Sequence, residues 1–172
     1  MIGCAISHSR LGRKVLGLHN SKIVLKEIAQ GATRVAVLRG AGDANVPFAM
    51  VSLEQAAPAL GLTLLPVDIK SVDELEAAFV QMTRDNAQGL LVIAGSLTFF
   101  GSKRIADLAL KHKLPSCHAF KETVAEGGLV SLGPDLIAMN RQGANFLDKI
   151  IQGSKPAELP VEQPLATRCT ST

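Results

Sequence analysis

Short apolar runs rich in Val, Ile and Leu recur roughly every 27 residues, and this period limits the possible folds more than any other feature of the chain. The runs are Arg34–Leu38, Leu62–Ile69, Gly89–Ala94 and Leu114–His118. Each is short enough for a strand, and none alternates apolar with polar residues, so both faces of each strand should be covered. The intervening segments have a helical rhythm. Phe48, Val51, Ala56 and Leu60 form one stripe, Leu75, Ala78, Phe79 and Met82 a second, and Ile105, Leu108, Ala109 and His112 a third. Strand, helix and strand in regular succession predict an α/β fold with a doubly wound parallel sheet and helices on both faces.

The breaker residues agree with this division. Gly40 to Asn45 reads as a loop, and Pro47 suits a first helical turn. Pro58 should shorten the helix it interrupts, and Pro66 predicts an edge strand or one that pairs only partly there. Ser71 and Glu74 have the spacing of a capping box. After Gly127 and Gly128 comes a fifth run, Leu129–Leu132, and then Asp135 caps a helix that Gly153 stops. That helix carries an apolar stripe of Leu136, Met139, Ala144, Leu147, Ile150 and Ile151. The segment from Lys155 to Pro164 is proline-rich and extended, and Leu165 to Thr172 has no structural signal. At the other end, Ser21 opens a helical stretch that Gly31 closes. The chain therefore divides into an N-terminal helical segment over 1–33, an α/β lobe over 34–120, and a strand, helix and tail over 121–172.

Composition removes several function classes. Of the 172 residues, 47% are hydrophobic and 19% charged, which describes a globular chain with an ordered core. A formal net charge of +3 without a basic stripe gives no footprint for nucleic acid. No run approaches the ~18 apolar residues needed to span a membrane. Export signals are likewise not evident. Met1-Ile2-Gly3-Cys4 lacks the basic start and apolar region that should precede a lipoprotein cysteine, so the chain as written is expected to remain in the cytoplasm. Cys4, Cys117 and Cys169 make no CxxC pair, and no metal site or cofactor is expected. Cys117 and His118 are neighbours on a strand, where adjacent side chains point to opposite faces, so they cannot act together as nucleophile and base. No catalytic residue is assigned.

Chemistry in such a sheet gathers at the carboxyl ends of the strands. The loops there are Arg39–Asn45, Gly95–Thr98, His118–Lys121 and Ser131–Asp135. They supply the candidate ligand contacts Gly40, Ala41, Gly95, Ser96, Leu97, His118, Phe120, Ser131, Gly133 and Asp135. Ser96 and Thr98 serve equally as helix caps, His118 equally as a structural residue, and Asp43 equally as a turn former. Gly40-Ala41-Gly42 with Asp68 at the end of the second run has part of a dinucleotide fingerprint, though Asn45 occupies the place of the third glycine. That leaves a Rossmann-like nucleotide-binding enzyme domain open as an alternative, beside a fragment that only assembles with itself. Trp and Tyr are both absent, so any ligand site must do without phenolic or indole hydrogen bonds.

Several motifs resemble the ABC-transporter solute-binding family, whose better-known members bind tryptophan and related small molecules. They are Leu114-Pro115, Phe120-Lys121-Glu122, Glu126-Gly127-Gly128, the run Leu129 to Asp135, and the closing stretch from Lys149 to Pro164 with its Lys-Pro and Leu-Pro-Val-Glu-Gln-Pro pattern. Lys26-Glu27 and Gly31 to Leu38 resemble the start of the family's second lobe, and the likeness covers about residues 20–164. The resemblance implies a type I periplasmic-binding-protein-like lobe of a two-lobed clamp, an amino-acid-like solute, an ABC permease as partner, and an extracytoplasmic setting. It also implies that residues 34–120 are the second lobe, that 129–152 return towards an absent first lobe, and that the family's final strand and helix are missing. Gly95 stands where relatives often carry Asp, Leu132 where Tyr is usual, and Arg39-Gly40 where an aromatic–Asn pair is common. The stripe on the 135–152 helix, left uncovered, predicts a homodimer.

Overall fold

The apolar period becomes a single six-stranded sheet in the computed structural model, which describes residues 31–162 and 167–171. In chain order the elements are β1 (Arg34–Gly40), α1 (Val46–Ala56), β2 (Thr63–Ile69), α2 (Leu75–Arg84), β3 (Gly89–Val92), α3 (Ser96–Phe100), α4 (Ser102–Lys111), β4 (Ser116–His118), α5 (Lys121–Ala125), β5 (Val130–Pro134), α6 (Leu136–Ile151) and β6 (Thr167–Ser171). Across the sheet the order is β2-β1-β3-β4-β5-β6. Every neighbouring pair is parallel except β5 with β6. The helical stretch read from Ser21 lies outside the described residues.

Both faces of the sheet are filled by aliphatic side chains along β1 and β3, as their unalternating runs require, whereas β2, at the edge, is covered on one side only and buries just Val67 and Ile69. On one face Val35, Val37, Leu91, Ile93, Cys117, Val130 and Leu132 pack against Ala49, Met50, Leu53 and Ala57 on and just after α1. On the other, Ala36, Leu38, Val67, Ile69, Leu90 and Val92 meet Leu75, Ala78, Phe79 and Met82 of α2 and Ile105, Leu108 and Ala109 of α4. Full burial of one such large side chain contributes about 1.5–3 kcal/mol, so these two layers carry most of the hydrophobic stabilisation.

Local punctuation mostly acts as the residue types dictate. Pro58 ends α1 in a 3₁₀ turn, Pro58–Leu60, which Gly61 closes at φ 64°. Pro66 lies on the outermost strand, in register with Val37. Thr63 donates to Thr33 and Ile69 accepts from Ala41, so odd-numbered residues of β2 face β1 and Pro66 faces outward, where its missing N–H breaks no ladder bond. The expected capping box does not form, because Glu74 reaches one residue too far back. Glu74 Oε2 accepts from the backbone N–H of Lys70 at 2.8 Å, whereas the Ser71 hydroxyl makes no cap.

Two differences concern the C-terminal third. Residues 129–133 do not leave the sheet: β5 pairs with β4 through Cys117 with Val130 and His118 with Ser131. Val130 and Leu132 are buried in the same core layer as Cys117, and that burial holds the strand in place. The tail, read as lacking any signal, forms β6 antiparallel to β5. Its sequence is polar, and the ladder bonds offered by the free edge of β5 supply what hydrophobic pattern does not. Helix α6 begins as expected, with Asp135 accepting from the N–H groups of Ile137 and Ala138. None of its residues is buried.

Candidate functional site

The order of strands reverses between β1 and β3: the chain passes from β1 outward to β2, then returns to the far side of β1. The loops after β1 and β3 diverge at such a point, leaving a crevice at the carboxyl edge of the sheet. The residues that line it come from the two loops and from the neighbouring β4–α5 turn.

The β1–α1 loop is a tight, fixed turn. Ala41 N–H donates to Ile69 O at 2.8 Å, Asp43 N–H to Gly40 O at 3.3 Å, and Val46 N–H to Asp43 O at 3.0 Å. Gly42 sits at φ 94°, a conformation that a side chain would strain. Asn45 then reaches across the crevice, and its Nδ2 donates to Ala94 O at 2.7 Å, clipping this loop to the one after β3. That second loop is held from beneath by Thr98, whose buried hydroxyl faces the carbonyl oxygens of Ile93 at 2.8 Å and Gly95 at 3.1 Å. The clip brings the Asp43 carboxylate against Gly40 and Gly95. A Cβ at either glycine would overlap Asp43 Oδ2. This oxygen is shielded from solvent and has no hydrogen-bond partner.

An aromatic corner borders the crevice on the β4 side. Phe99 meets Phe120 edge to face at 5.2 Å between ring centres and Phe100 at 5.8 Å. Beside it, Lys121 Nζ pairs with Asp135 Oδ1 at 2.9 Å. The Lys121 hydrogen bond, with the N–H groups of Ala138 and Ile137, holds the Asp135 carboxyl below its usual range. Gly133 lets the end of β5 approach the β4–α5 turn, because a Cβ there would overlap the carbonyl of Ala119.

The candidate contacts read from sequence therefore fall into two groups. Gly40, Ala41, Gly95, Ser96, Leu97, Phe120, Gly133 and Asp135 lie at the carboxyl edge, with Ser96 exposed and Leu97 leaning on the core. His118 and Ser131 are enclosed side by side in adjacent strands, at 2% and 1% exposure. His118 Nε2 lies 2.9 Å from Ser116 Oγ, and burial pushes its pKa down to about 4, so the ring is neutral at neutral pH. Ser131 Oγ is buried without a partner, and nothing in the structure explains it. Asp68, the acidic residue that a nucleotide site would need free, is held by Arg39 through both carboxylate oxygens, at 2.7 and 2.9 Å.

Asn45, Phe99 and Lys121 are not among the candidate contacts read from sequence, and Asp43 is equally a turn residue there. The signal available for Phe99 was its rarity: aromatics make up only 3% of the chain, yet Phe99, Phe100 and Phe120 converge at one edge. Among the described residues, no group of three or more His, Cys, Asp or Glu could hold a metal ion. No helix among them is long and apolar enough to cross a membrane.

Comparison with known proteins agrees with this fold. The model of a family described as ABC transporter substrate binding protein matches residues 7–168. No curated protein sequence matches the chain. Among solved structures, a conserved domain protein from Vibrio cholerae superposes with a TM-score of 0.79 at 20% identity, covering 89% of this chain and 51% of that one. An ABC domain from Streptococcus pneumoniae in complex with L-Trp gives 0.74 at 19% identity, covering 83% and 48%. The ligand-free, open form of a substrate-binding protein with adhesive properties from Clostridium difficile gives 0.68 at 18% identity, covering 90% and 52%. At these identities the likeness establishes the fold, and the chain spans about half the length of each of these proteins.

Proposed function

Because the chain belongs to the family of ABC transporter substrate binding proteins, we propose that it forms one wall of a solute-binding clamp that delivers a small, amino-acid-like molecule to an ABC permease outside the cytoplasm. Its family is one of binding proteins, and the chain is not an enzyme. The observation that carries the reading is the crevice at the β1/β3 reversal, where the clipped loops, the aromatic corner and the Lys121–Asp135 pair meet on one edge of the sheet. A solute held there would lie on a flat wall, and affinity in such sites comes from enclosing about 70–90% of the ligand surface. The single wall should therefore bind weakly.

Amide-shift mapping by NMR with a set of amino acids, including tryptophan and branched-chain members, tests the proposal. The expected result is weak, saturable shifts confined to residues 40–45, 95–100 and 120–121, with no titration tighter than about millimolar for a monomer. Shifts scattered over the helices, or none at all, would overturn it.

Self-association belongs to the same proposal. Helix α6 leaves Ile137, Leu147 and Ile151 at 52%, 61% and 82% exposure. Large apolar side chains gathered on one 16-residue helix favour covering by a second copy about a two-fold axis.

A further inference from the structure

One border of the crevice is a lightly held strap that covers an enclosed polar cluster. Residues 119–128 join β4 to β5, with Phe120 and Lys121 at the front of the strap and Gly127 and Gly128 at its rear. It is fixed at three points. The carbonyl of Ala119 lies against Gly133, and the Ser102 hydroxyl of α4 donates to Glu126 Oε2. The backbone of Gly128 rests on the His118 ring, where an added Cβ would stand 3.0 Å from Cδ2 and Nε2. Around and beneath these points Ser102, Ser116, His118, Thr123 and Ser131 are all buried. Little else holds the strap down: its buried residues are Thr123, Val124 and Gly128, its helix is five residues long, and Gly127 turns at φ 110°. Segments so lightly packed open before the fold as a whole does.

Among the described residues, no acid is enclosed with the imidazole. Strand β3 has no titratable side chain, and Cys117 of β4 belongs to the other core layer. From β5 comes the Ser131 hydroxyl, and Asp135 beyond it is paired with Lys121. From α4 comes the buried Ser102, while Lys103 and Arg104 pair at the surface with Asp107 and Asp73. The strap itself carries Lys121, Glu122 and Glu126, and Glu126 is tied to the cluster through Ser102. A proton on His118 therefore places a charge among hydroxyls and backbone with no carboxylate against it, which is costly. Lifting the strap relieves this, because it admits solvent and frees Glu126 to reach the ring. Strands β4 and β5 cannot yield instead, since both are bonded into the sheet and packed on its far side through Cys117 and Val130.

We infer that residues 119–128 form a proton-operated gate: they lie closed on a neutral His118, and proton uptake by the ring lifts them, drawing Phe120 and Lys121 away from Phe99 and Asp135 at the crevice. This rests on the solute-binding reading above and names how that site is regulated. Acid favours the open strap and release of a solute, and neutral pH favours the closed one.

Hydrogen exchange of the whole chain, followed by NMR from neutral to acid pH and expressed as protection factors, tests the gate. The reporters are the amides of Glu126, Gly127 and Gly128, which donate to the Thr123 and Val124 carbonyls within the strap, against those of Leu90 and Ile93 in the sheet. Burial holds the closed ring's pKa at about 4, against 6.5 for a free one, so strap protection should fall about tenfold per pH unit between those values. It should stay below that of the sheet and be unmoved by about 0.5 M urea, the mark of a local opening. In His118→Gln the pH dependence should flatten, and Ser102→Ala, which frees Glu126, should lower strap protection at every pH and keep the slope. Wild-type strap protection that is flat across this range, or that falls with the sheet in urea, overturns the inference. So does an equally steep slope in a folded His118→Gln; should that variant not fold, the wild-type slope and urea response decide. Tryptophan that shifts the Phe120 and Lys121 amides in acid should restore strap protection, because it binds the closed form. Bound tryptophan that leaves strap exchange unchanged overturns the gate at the crevice. An acid-opened strap in a chain that shows no shifts with any amino acid removes the solute-binding reading and leaves the proton-operated opening standing.

Discussion

Acidification should destabilise this protein through one enclosed imidazole, and the effect is large enough to isolate. His118 is buried between β3 and β5 on the central part of the sheet, with Ser116 Oγ 2.9 Å from its Nε2, and its pKa falls from 6.5 to about 4 because burial disfavours the charged ring. In the window between those values the unfolded chain binds a proton that the folded chain refuses. Stability is therefore full above the unfolded value and declines as pH falls through it. A gap of this size corresponds to about 3 kcal/mol once pH lies below both values, and about 2 kcal/mol of that is lost between pH 7.5 and pH 5. With a urea slope of roughly 2 kcal/mol per molar, the midpoint should move down by about 1 M over that interval. Urea unfolding followed by circular dichroism at several pH values, on the wild type and on His118→Gln, measures it. The variant cannot take up this proton, so its stability should fall less over the interval by about 2 kcal/mol. Superimposable pH profiles for the two proteins would refute the reasoning, since any other titrating group is common to both.

Other substitutions separate the remaining features. Gly133→Ala forces the end of β5 away from the Ala119 carbonyl and should lower stability by about 1–3 kcal/mol in the same urea assay, with a smaller loss meaning that the two backbones part freely. Asp135→Ala removes the cap of α6 and the partner of Lys121, so the Ile137 and Ala138 amides should lose hydrogen-exchange protection; because the carboxyl is held below its usual range, the wild type should show the same loss only at acid pH. Leu147→Glu with Ile151→Glu should convert a dimer into a monomer by light scattering behind size exclusion, and a wild type that is monomeric over a wide concentration range with α6 ordered would dismiss self-association.

The sheet was legible because its central strands are buried on both sides. Val35 to Leu38 and Leu90 to Ile93 have no tolerance for polar residues, so their pattern cannot be mistaken. Pro66 was legible for the opposite reason, as a residue that only an edge position accepts. The tail was not, because β6 is held by backbone pairing to β5, and main-chain hydrogen bonds leave little mark on sequence. The carboxyl-edge loops could be placed from the strand ends alone, since they follow from topology. Within them, residue roles depended on contacts between distant segments. Asn45 is 49 positions from the carbonyl it holds, and Asp43 becomes unusual only when both neighbouring glycines are seen beside it. His118 has the same lesson in reverse: a strand end places it near the crevice, and one residue of register turns its ring into the core.

Pro66 has a consequence for growth of the sheet. Its nitrogen faces outward from the middle of β2, so a strand arriving from another molecule would meet a gap in the row of donors where it most needs continuity. On the opposite side β6 runs against the direction of the other strands and occupies the edge of β5. The β2 margin of the sheet is thus chemically interrupted, which discourages strand addition there, and the β6 margin is the one that keeps a row of backbone groups facing outward.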